Sequence, residues 1–323
     1  MCSSEADWSY SVIVVLVNFK DKAVNNATTQ YFKDLFFSQK KISTGSVTEY
    51  YADVSGGKIS ITGDVVGPYQ LPQTEATYAH GGNGIKGPAL QEPNVRTMAN
   101  DALNAVEAAA IDLKKYDNKG RADGYVDAFI VVHAGIGGEE TTNVNDIWSC
   151  KWVLPATRKV GKSQTQVYPF LTIPENAKLG VCAHELGHLL FGWPDLYDVK
   201  HKSSGIGNWC LMSGGSWGHV GTAAQGTTPC HPSAWCKLDQ EWVDVTVDQN
   251  AADVILNEVK DNANSTINAN RFGRVHKLWS NGLANGNEYF LIENRGTKGY
   301  DASLPGEGLL GKLVRLFHVN FMI

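Results

Sequence analysis

Residues 181–198 constrain this chain more than any other segment, because they combine metal-binding side chains with helical spacing. His184 and His188 are four residues apart, so on a helix both imidazoles lie on one face and can reach a single tetrahedral metal ion. Glu185 follows the first histidine and therefore lies beside the ion, where a carboxylate can take a proton from a metal-activated water. This HExxH pattern predicts a zinc-hydrolase centre and points to a peptidase.

An apolar stripe supports the helical interpretation of the segment. Cys182, Leu186 and Leu189 recur at helical spacing, and Gly192 followed by Pro194 is a stop signal. The structural alternative is a helix whose two histidines only satisfy local hydrogen bonds. Three features elsewhere in the chain favour the metal site over that alternative.

The first feature is a set of candidates for the third ligand that a catalytic zinc ion needs before water takes its fourth position. Asp195 is the first candidate, because a turn at Gly192 would bring the chain back beneath the helix and direct a carboxylate at the metal. Asp198 is the second candidate, and Glu293 is the candidate from a more distant segment. Asp195 is alternatively an ordinary turn residue after Pro194.

The second feature is a methionine in the glycine-bearing segment 208–217. Met212 in such a turn can form a soft, adaptable floor beneath the histidine ligands. Together with the preceding HExxH segment, this turn resembles the Met-turn of the metzincin peptidases.

The third feature is a wider resemblance, carried by several motifs. They are residues 46–51, 55–58, 116–135, 146–149, 184–198, 211–217, 231–237, 289–295 and 304–310. In these segments the chain resembles the M6 family of metallopeptidases, the immune inhibitor A group. The resemblance implies a secreted, extracellular zinc endopeptidase that acts on polypeptides, with His184 and His188 as ligands and Glu185 as the catalytic base. It also implies an α+β fold of the zincin or metzincin type, with a mixed twisted sheet, long helices and an active-site HExxH helix.

The chain departs from the metzincin pattern in three places. Gly192 comes one residue later than the pattern requires, and Gly214 occupies the position where many metzincins have a tyrosine that stabilises the oxyanion. Tyr197 and His219 are the candidates to replace that tyrosine or to contact substrate, and each is alternatively a structural residue. The residues after Leu310 do not continue the family pattern, so we expect a truncated or altered C-terminus.

A second metal site is predicted where acidic residues precede a buried strand. Asp117, Asp123 and Asp127 supply carboxylates that could hold calcium. Lys119 and Arg121 occupy positions where an EF-hand loop has oxygen ligands, so a solvated turn is the alternative.

The element pattern predicts two units, a catalytic domain over residues 1–240 and a β-rich extension over 241–323 with short strands and polar turns. Within the first unit we expect a strand, a helix at 29–39 and further strand that ends near 67–68, then a helix at 94–113 and a strand at 128–133. The glycine-rich rim near Gly135 is the predicted site where an extended substrate pairs with the protein.

Composition limits the partners. The formal net charge of -5 and the lack of long basic runs predict no binding to nucleic acid or anionic membranes. The longest apolar run is far shorter than the roughly 20 residues of a membrane span, and no signal peptide is evident. Six cysteines are compatible with disulfides or with buried thiols, and residues 26–28 and 264–266 fit glycosylation sequons.

Two other functions stay open at this stage, and the oligomeric state is not indicated. One is a catalytically inactive, peptidase-like binding protein, which the intact Glu185 disfavours. The other is a zinc amidase that acts on a non-protein amide.

Overall fold

A computed structural model describes residues 8–117, 122–200, 202–247, 275–279 and 288–315. Its larger sheet has five strands in the order β2-β1-β3-β5-β4. The strands are β1 (Trp8–Asn18), β2 (Ile59–Gln70), β3 (Ala128–His133), β4 (Cys150–Val160) and β5 (Thr165–Pro174). Strands β1, β2, β3 and β5 run parallel, and β4 pairs antiparallel with β5 at one edge. The described structure is therefore mixed α/β, and the predicted mixed sheet is confirmed.

The centre of the sheet is buried on both faces, which explains its continuous apolar runs. Successive residues of β1 point to opposite sides: Val12 and Val14 belong to one core cluster, and Ile13 and Val15 belong to the other. The first cluster is covered by α1 (Thr28–Phe37), α2 (Val47–Val54) and α6 (Leu179–Phe191), and the second by α4 (Val95–Ala108). The shorter described helices are α3 (Glu75–Ala79), α5 (Gly138–Thr141) and α7 (Ala234–Asp239).

A second sheet is formed by residues that follow α7. It contains β6 (Val245–Val247), β7 (Val275–Trp279), β8 (Glu288–Arg295) and β9 (Gly308–Arg315), in that order. Its inner face packs on α7, through a cluster that includes Ala234, Tyr289 and Leu291. The β-rich character predicted for this part holds for the residues described, and the domain boundary at 240 stays a prediction.

Several predicted elements differ from the structure. The helix predicted at 94–113 ends at Ala108, because Ala110 has a left-handed backbone conformation with φ 53°. Strand β2 continues through Gly67 and Pro68, where it was expected to end. The strand predicted at 128–133 is β3, but it pairs with β1 and β5 on its two sides. The β3 strand itself has no free edge, and Gly135 lies beyond its end, so substrate pairing at the glycine-rich rim stays a prediction.

The structure can be compared with three expectations drawn from composition: the membrane span, the cysteines and the glycosylation sequons. In the part of the chain that the structure describes, no helix is long and apolar enough to cross a membrane. The five cysteines within this part are free thiols, four of them buried. Cys2 and the sequon at 264–266 lie outside the described residues, whereas Asn26 is exposed.

Candidate metal centre

The HExxH histidines lie on α6 and converge with one carboxylate. The two Nε2 atoms of His184 and His188 are 3.1 Å apart, and Asp195 Oδ1 is 3.2 Å from each of them. Among the described residues, these are the only three or more His, Cys, Asp or Glu side chains whose ligand atoms lie within 4.8 Å of one another. Of the third-ligand candidates, Asp195 is the one brought to the histidines.

Backbone carbonyls orient both rings. His184 Nδ1 lies 2.9 Å from the Leu211 carbonyl oxygen, and His188 Nδ1 is hydrogen-bonded to the Trp193 carbonyl oxygen. A carbonyl can only accept, so we infer that each Nδ1 carries the hydrogen. Each neutral ring then directs the lone pair of Nε2 at the other ring and at Asp195.

This donor set fits a cation. Two imidazole lone pairs and a carboxylate oxygen that face one another at about 3 Å repel each other unless positive charge lies between them. Two nitrogens and one oxygen, with an open fourth position, are the ligands of catalytic zinc sites. The residues present therefore fit the zinc ion that the sequence pattern predicts.

Without a metal ion, a proton supplies the positive charge. Burial lowers the pKa of His184, but the adjoining Asp195 and Glu185 carboxylates outweigh burial and raise it to about 9. Burial raises the pKa of Asp195, yet its bonds to the two histidines bring the net value well below the ordinary one. A metal ion must consequently displace a proton from this centre at neutral pH.

Glu185 lies next to the ligands without joining them. Its side chain is 6% exposed, and Oε2 has no hydrogen-bond partner within the described residues. Burial is the main cause that raises the pKa of Glu185, and the nearby histidines oppose it. A buried carboxylate that has a raised pKa and one unpartnered oxygen is suited to accept a proton from a bound reactant.

The turn after α6 explains how Asp195 reaches the histidines. Gly192 adopts the left-handed conformation with φ 69° and ends the helix. The chain then reverses, and the Leu196 N–H donates to the Met212 carbonyl oxygen at 2.7 Å. Asp195 is therefore held between the helix end and the Met212 segment.

The Met212 side chain packs under the same helix. A Cβ atom added to Gly187 would lie 2.7 Å from Met212 Sδ and 3.1 Å from Trp193 Cε3. Gly187 lies between the two histidines in sequence, and its lack of a side chain lets Met212 approach the helix backbone. The methionine is fully buried at this contact.

Two other predicted ligands have different roles in the structure. Asp198 accepts backbone hydrogen bonds from Lys200, Lys202 and Ser203 and so closes its own turn. Glu293 is buried on β8, where it accepts from the Ala234 N–H and pairs with a buried arginine. Neither carboxylate belongs to the converging group.

The two candidates for oxyanion or substrate contact also differ. The Tyr197 ring stacks on His184 with centroids 6.5 Å apart, and burial and the nearby Asp195 carboxylate raise the pKa of its hydroxyl. His219 is exposed in the loop after Trp217. Tyr197 is thus beside the centre.

The predicted calcium ligands bind backbone groups. Asp117 accepts from the N–H groups of Asp123 and Gly124, and Asp127 accepts from the Ser11 N–H at 2.7 Å. Within the described residues, these three aspartates do not form a converging ligand group. The calcium site therefore stays a prediction.

Sequence reasoning missed the two carbonyls that orient the histidines. The Leu211 and Trp193 carbonyls belong to apolar residues, whose letters carry no metal-site signal. The available signal was position, because one residue adjoins Met212 and the other follows Gly192. It also missed that β4 lies at one edge of the larger sheet, with β2 at the other.

The fold and the site define a mixed α/β protein with two histidines and one aspartate, arranged for a cation, at a helix that also carries a buried glutamate. Residues 6–250 match the sequence profile described as immune inhibitor A peptidase M6, catalytic domain. The chain belongs to this family.

Two curated relatives are similar over much of the chain. Immune inhibitor A of Bacillus thuringiensis subsp. alesti is 28% identical over 294 residues, which cover 76% of this chain and 41% of that protein. Pre-pro-metalloprotease PrtV of Vibrio cholerae serotype O1 (strain M66-2) is 31% identical over 242 residues, which cover 64% of this chain and 25% of that protein. The chain thus matches less than half of the length of each relative.

Proposed function

We propose that this protein is a zinc-dependent endopeptidase of the metzincin type. The observation that carries the proposal is the convergence of His184, His188 and Asp195 beside the unpartnered oxygen of Glu185. Membership of a metallopeptidase family supports it. A zinc ion bound by the three side chains would supply a Lewis acid that acidifies water and polarises a carbonyl oxygen.

The proposed chemistry of the chain's own residues is proton transfer. Glu185 Oε2 takes a proton from the water that attacks the scissile carbonyl, and it returns this proton to the leaving amide nitrogen as the C–N bond breaks. Its raised pKa favours this role, since a base works best when its pKa approaches the working pH. The Nδ1–H bonds to Leu211 and Trp193 keep both rings in the tautomer that a metal ligand needs.

Tyr197 is the proposed oxyanion donor. Its ring stacks on His184, close enough to Asp195 for that charge to act on it, and 40% of the residue is exposed. Burial and the nearby Asp195 charge raise the pKa of Tyr197, so its hydroxyl keeps the proton and can donate. This donation would replace the one lost at Gly214.

The proposed substrate strand is an extended polypeptide paired with β4. Within the described sheet, β4 pairs with β5 alone and leaves one edge open. Strand β4 also contacts α6, the helix that carries Glu185. Main-chain hydrogen bonds along such an edge hold a peptide without demanding a particular sequence.

The remaining expectations from the sequence are proposals as well. They are the extracellular location, the calcium site and the division into a catalytic domain and a β-rich extension.

The test is cleavage of unfolded casein by the zinc-loaded protein, with Glu185→Gln as the inactive variant and the exposed Glu107→Gln as its matched control. We expect cleavage by the wild type and by Glu107→Gln, and its loss in Glu185→Gln and in chelator. A zinc-loaded, folded wild type that leaves casein intact would refute the proposal. Hydrolysis of an acetylated or peptidoglycan amide would then identify an amidase, and no hydrolysis would identify a binding protein.

A further inference from the structure

A buried charged cluster lies behind the Met212 segment, outside the matched residues 6–250. Arg295 on β8 has a fully buried guanidinium, which pairs with Asp301 through Nε at 2.7 Å and Nη2 at 2.6 Å. Its Nη1 lies 3.3 Å from Glu293 Oε1. Burying such charges seldom adds stability relative to apolar residues. We therefore ask which neighbouring groups the cluster holds in position.

The cluster binds the backbone at two places, one before Met212 in the sequence and one after it. Arg295 donates to the carbonyl oxygens of Trp209 at 3.4 Å and His231 at 3.5 Å. Asp301 Oδ1 accepts from the His231 N–H at 2.9 Å. Both backbone groups of His231 are thus held by the two charged side chains.

From His231 a continuous path leads to the metal centre. The His231 carbonyl also accepts from the Leu211 N–H at 3.3 Å, and the Leu211 carbonyl accepts from His184 Nδ1 at 2.9 Å. His188 is oriented differently, by Trp193 at the end of its own helix. Only the His184 ring therefore depends on this path, and a shifted Leu211 carbonyl would release one ligand and leave the other in place.

We propose that Arg295 and Asp301 are positioning residues for the metal centre, because together they set the carbonyl that orients His184. The inference rests on the proposed zinc site. It implies that residues 293–301 belong functionally to the catalytic unit, although they lie beyond the predicted domain boundary at 240.

The main variant is the double substitution Arg295→Met with Asp301→Leu. It removes one positive and one negative charge, so no lone charge remains from the pair, and apolar replacement of a buried pair usually preserves the fold. The bonds to Trp209 and His231 are lost. The matched control is Lys22→Met with Glu75→Leu, which replaces another ion pair in which the glutamate is buried.

The readouts are the zinc dissociation constant, by competition with a chromophoric chelator, and the visible spectrum of the cobalt-substituted protein. We expect the main variant to bind zinc about 10–100-fold more weakly, as other losses of outer ligand support do, with an altered cobalt spectrum. The control variant keeps the wild-type constant and spectrum. Circular dichroism and thermal melting verify that each variant is folded.

A folded main variant whose zinc constant stays within about twofold of wild type, with an unchanged cobalt spectrum, overturns the inference. If that variant does not fold, Arg295→Lys decides by the same two readouts, because lysine keeps the charge and loses the planar fork. A wild type that binds no zinc refutes the proposed function instead. The two failures are therefore distinguishable.

Discussion

The contact between Gly187 and Met212 is close enough for one methyl group to test it. In an open helix, Gly→Ala stabilises by about 1 kcal/mol. At position 187, however, the new Cβ would lie 2.7 Å from Met212 Sδ and 3.1 Å from Trp193 Cε3. Carbon and sulfur atoms prefer separations of at least roughly 3.5 Å, so the helix or the methionine must move.

Overpacking of this kind costs about 1–3 kcal/mol, which exceeds the helical gain. We expect Gly187→Ala to lower the free energy of unfolding by about 1 kcal/mol. Met212→Ala alone should cost roughly 2–5 kcal/mol, since it empties a buried site. In the double variant the new methyl group occupies part of the emptied space. The loss of unfolding free energy in the double variant should therefore be smaller than the sum of the two single losses.

The assay is urea denaturation of the metal-free wild type, both single variants and the double variant. A coupling energy above about 0.5 kcal/mol would support the packing argument. Additive losses, or a stabilised Gly187→Ala, would refute it. Gly311, where an added Cβ meets nothing within 4 Å and the backbone is not left-handed, supplies the control site for Gly→Ala.

Four further predictions concern the metal centre. Asp195→Asn should weaken zinc binding at least tenfold in a competition titration, whereas Asp198→Asn should leave it unchanged; equal effects would contradict the ligand assignment. Because the pKa of His184 is about 9, zinc binding at pH 7 should release at least one proton, measurable by calorimetry in buffers of different ionisation enthalpy. The same pKa exceeds the ordinary 6.5, so the metal-free protein should lose stability as pH rises from 6.5 towards 9; constant stability across this window would contradict it. Finally, a chelator should lower the melting temperature, since a ligand at about a thousandfold excess over Kd adds roughly 4 kcal/mol to the folded state.

Local pattern was enough to predict the helix and the strand nearest the site. The spacing of Cys182, Leu186 and Leu189 predicts α6, and the left-handed Gly192 ends it as expected. The apolar run at 128–133 matches β3 in its bounds. These features depend on residues close in sequence, so periodicity and turn chemistry suffice to find them.

The order of the strands in the sheet, in contrast, cannot be found from a local sequence pattern. The apolar run at 128–133 indicates a buried strand, but it does not say which strands pair with β3, because β1 and β5 are distant in the chain. In the same way, Glu293 looks like a free ligand in the sequence, and only its buried arginine partner gives it another role.

By itself the sequence determined which side chains can bind a metal ion and which helix carries them, because two histidines four residues apart share a face on any helix. Tertiary structure decided which carboxylate completes the group and which carbonyls orient the rings. Asp195 and Asp198 are chemically alike, and the Leu196 N–H bond to the Met212 carbonyl brings the first to the histidines, while the second closes a turn. That choice rests on a contact between segments separated in sequence, which a local pattern does not encode.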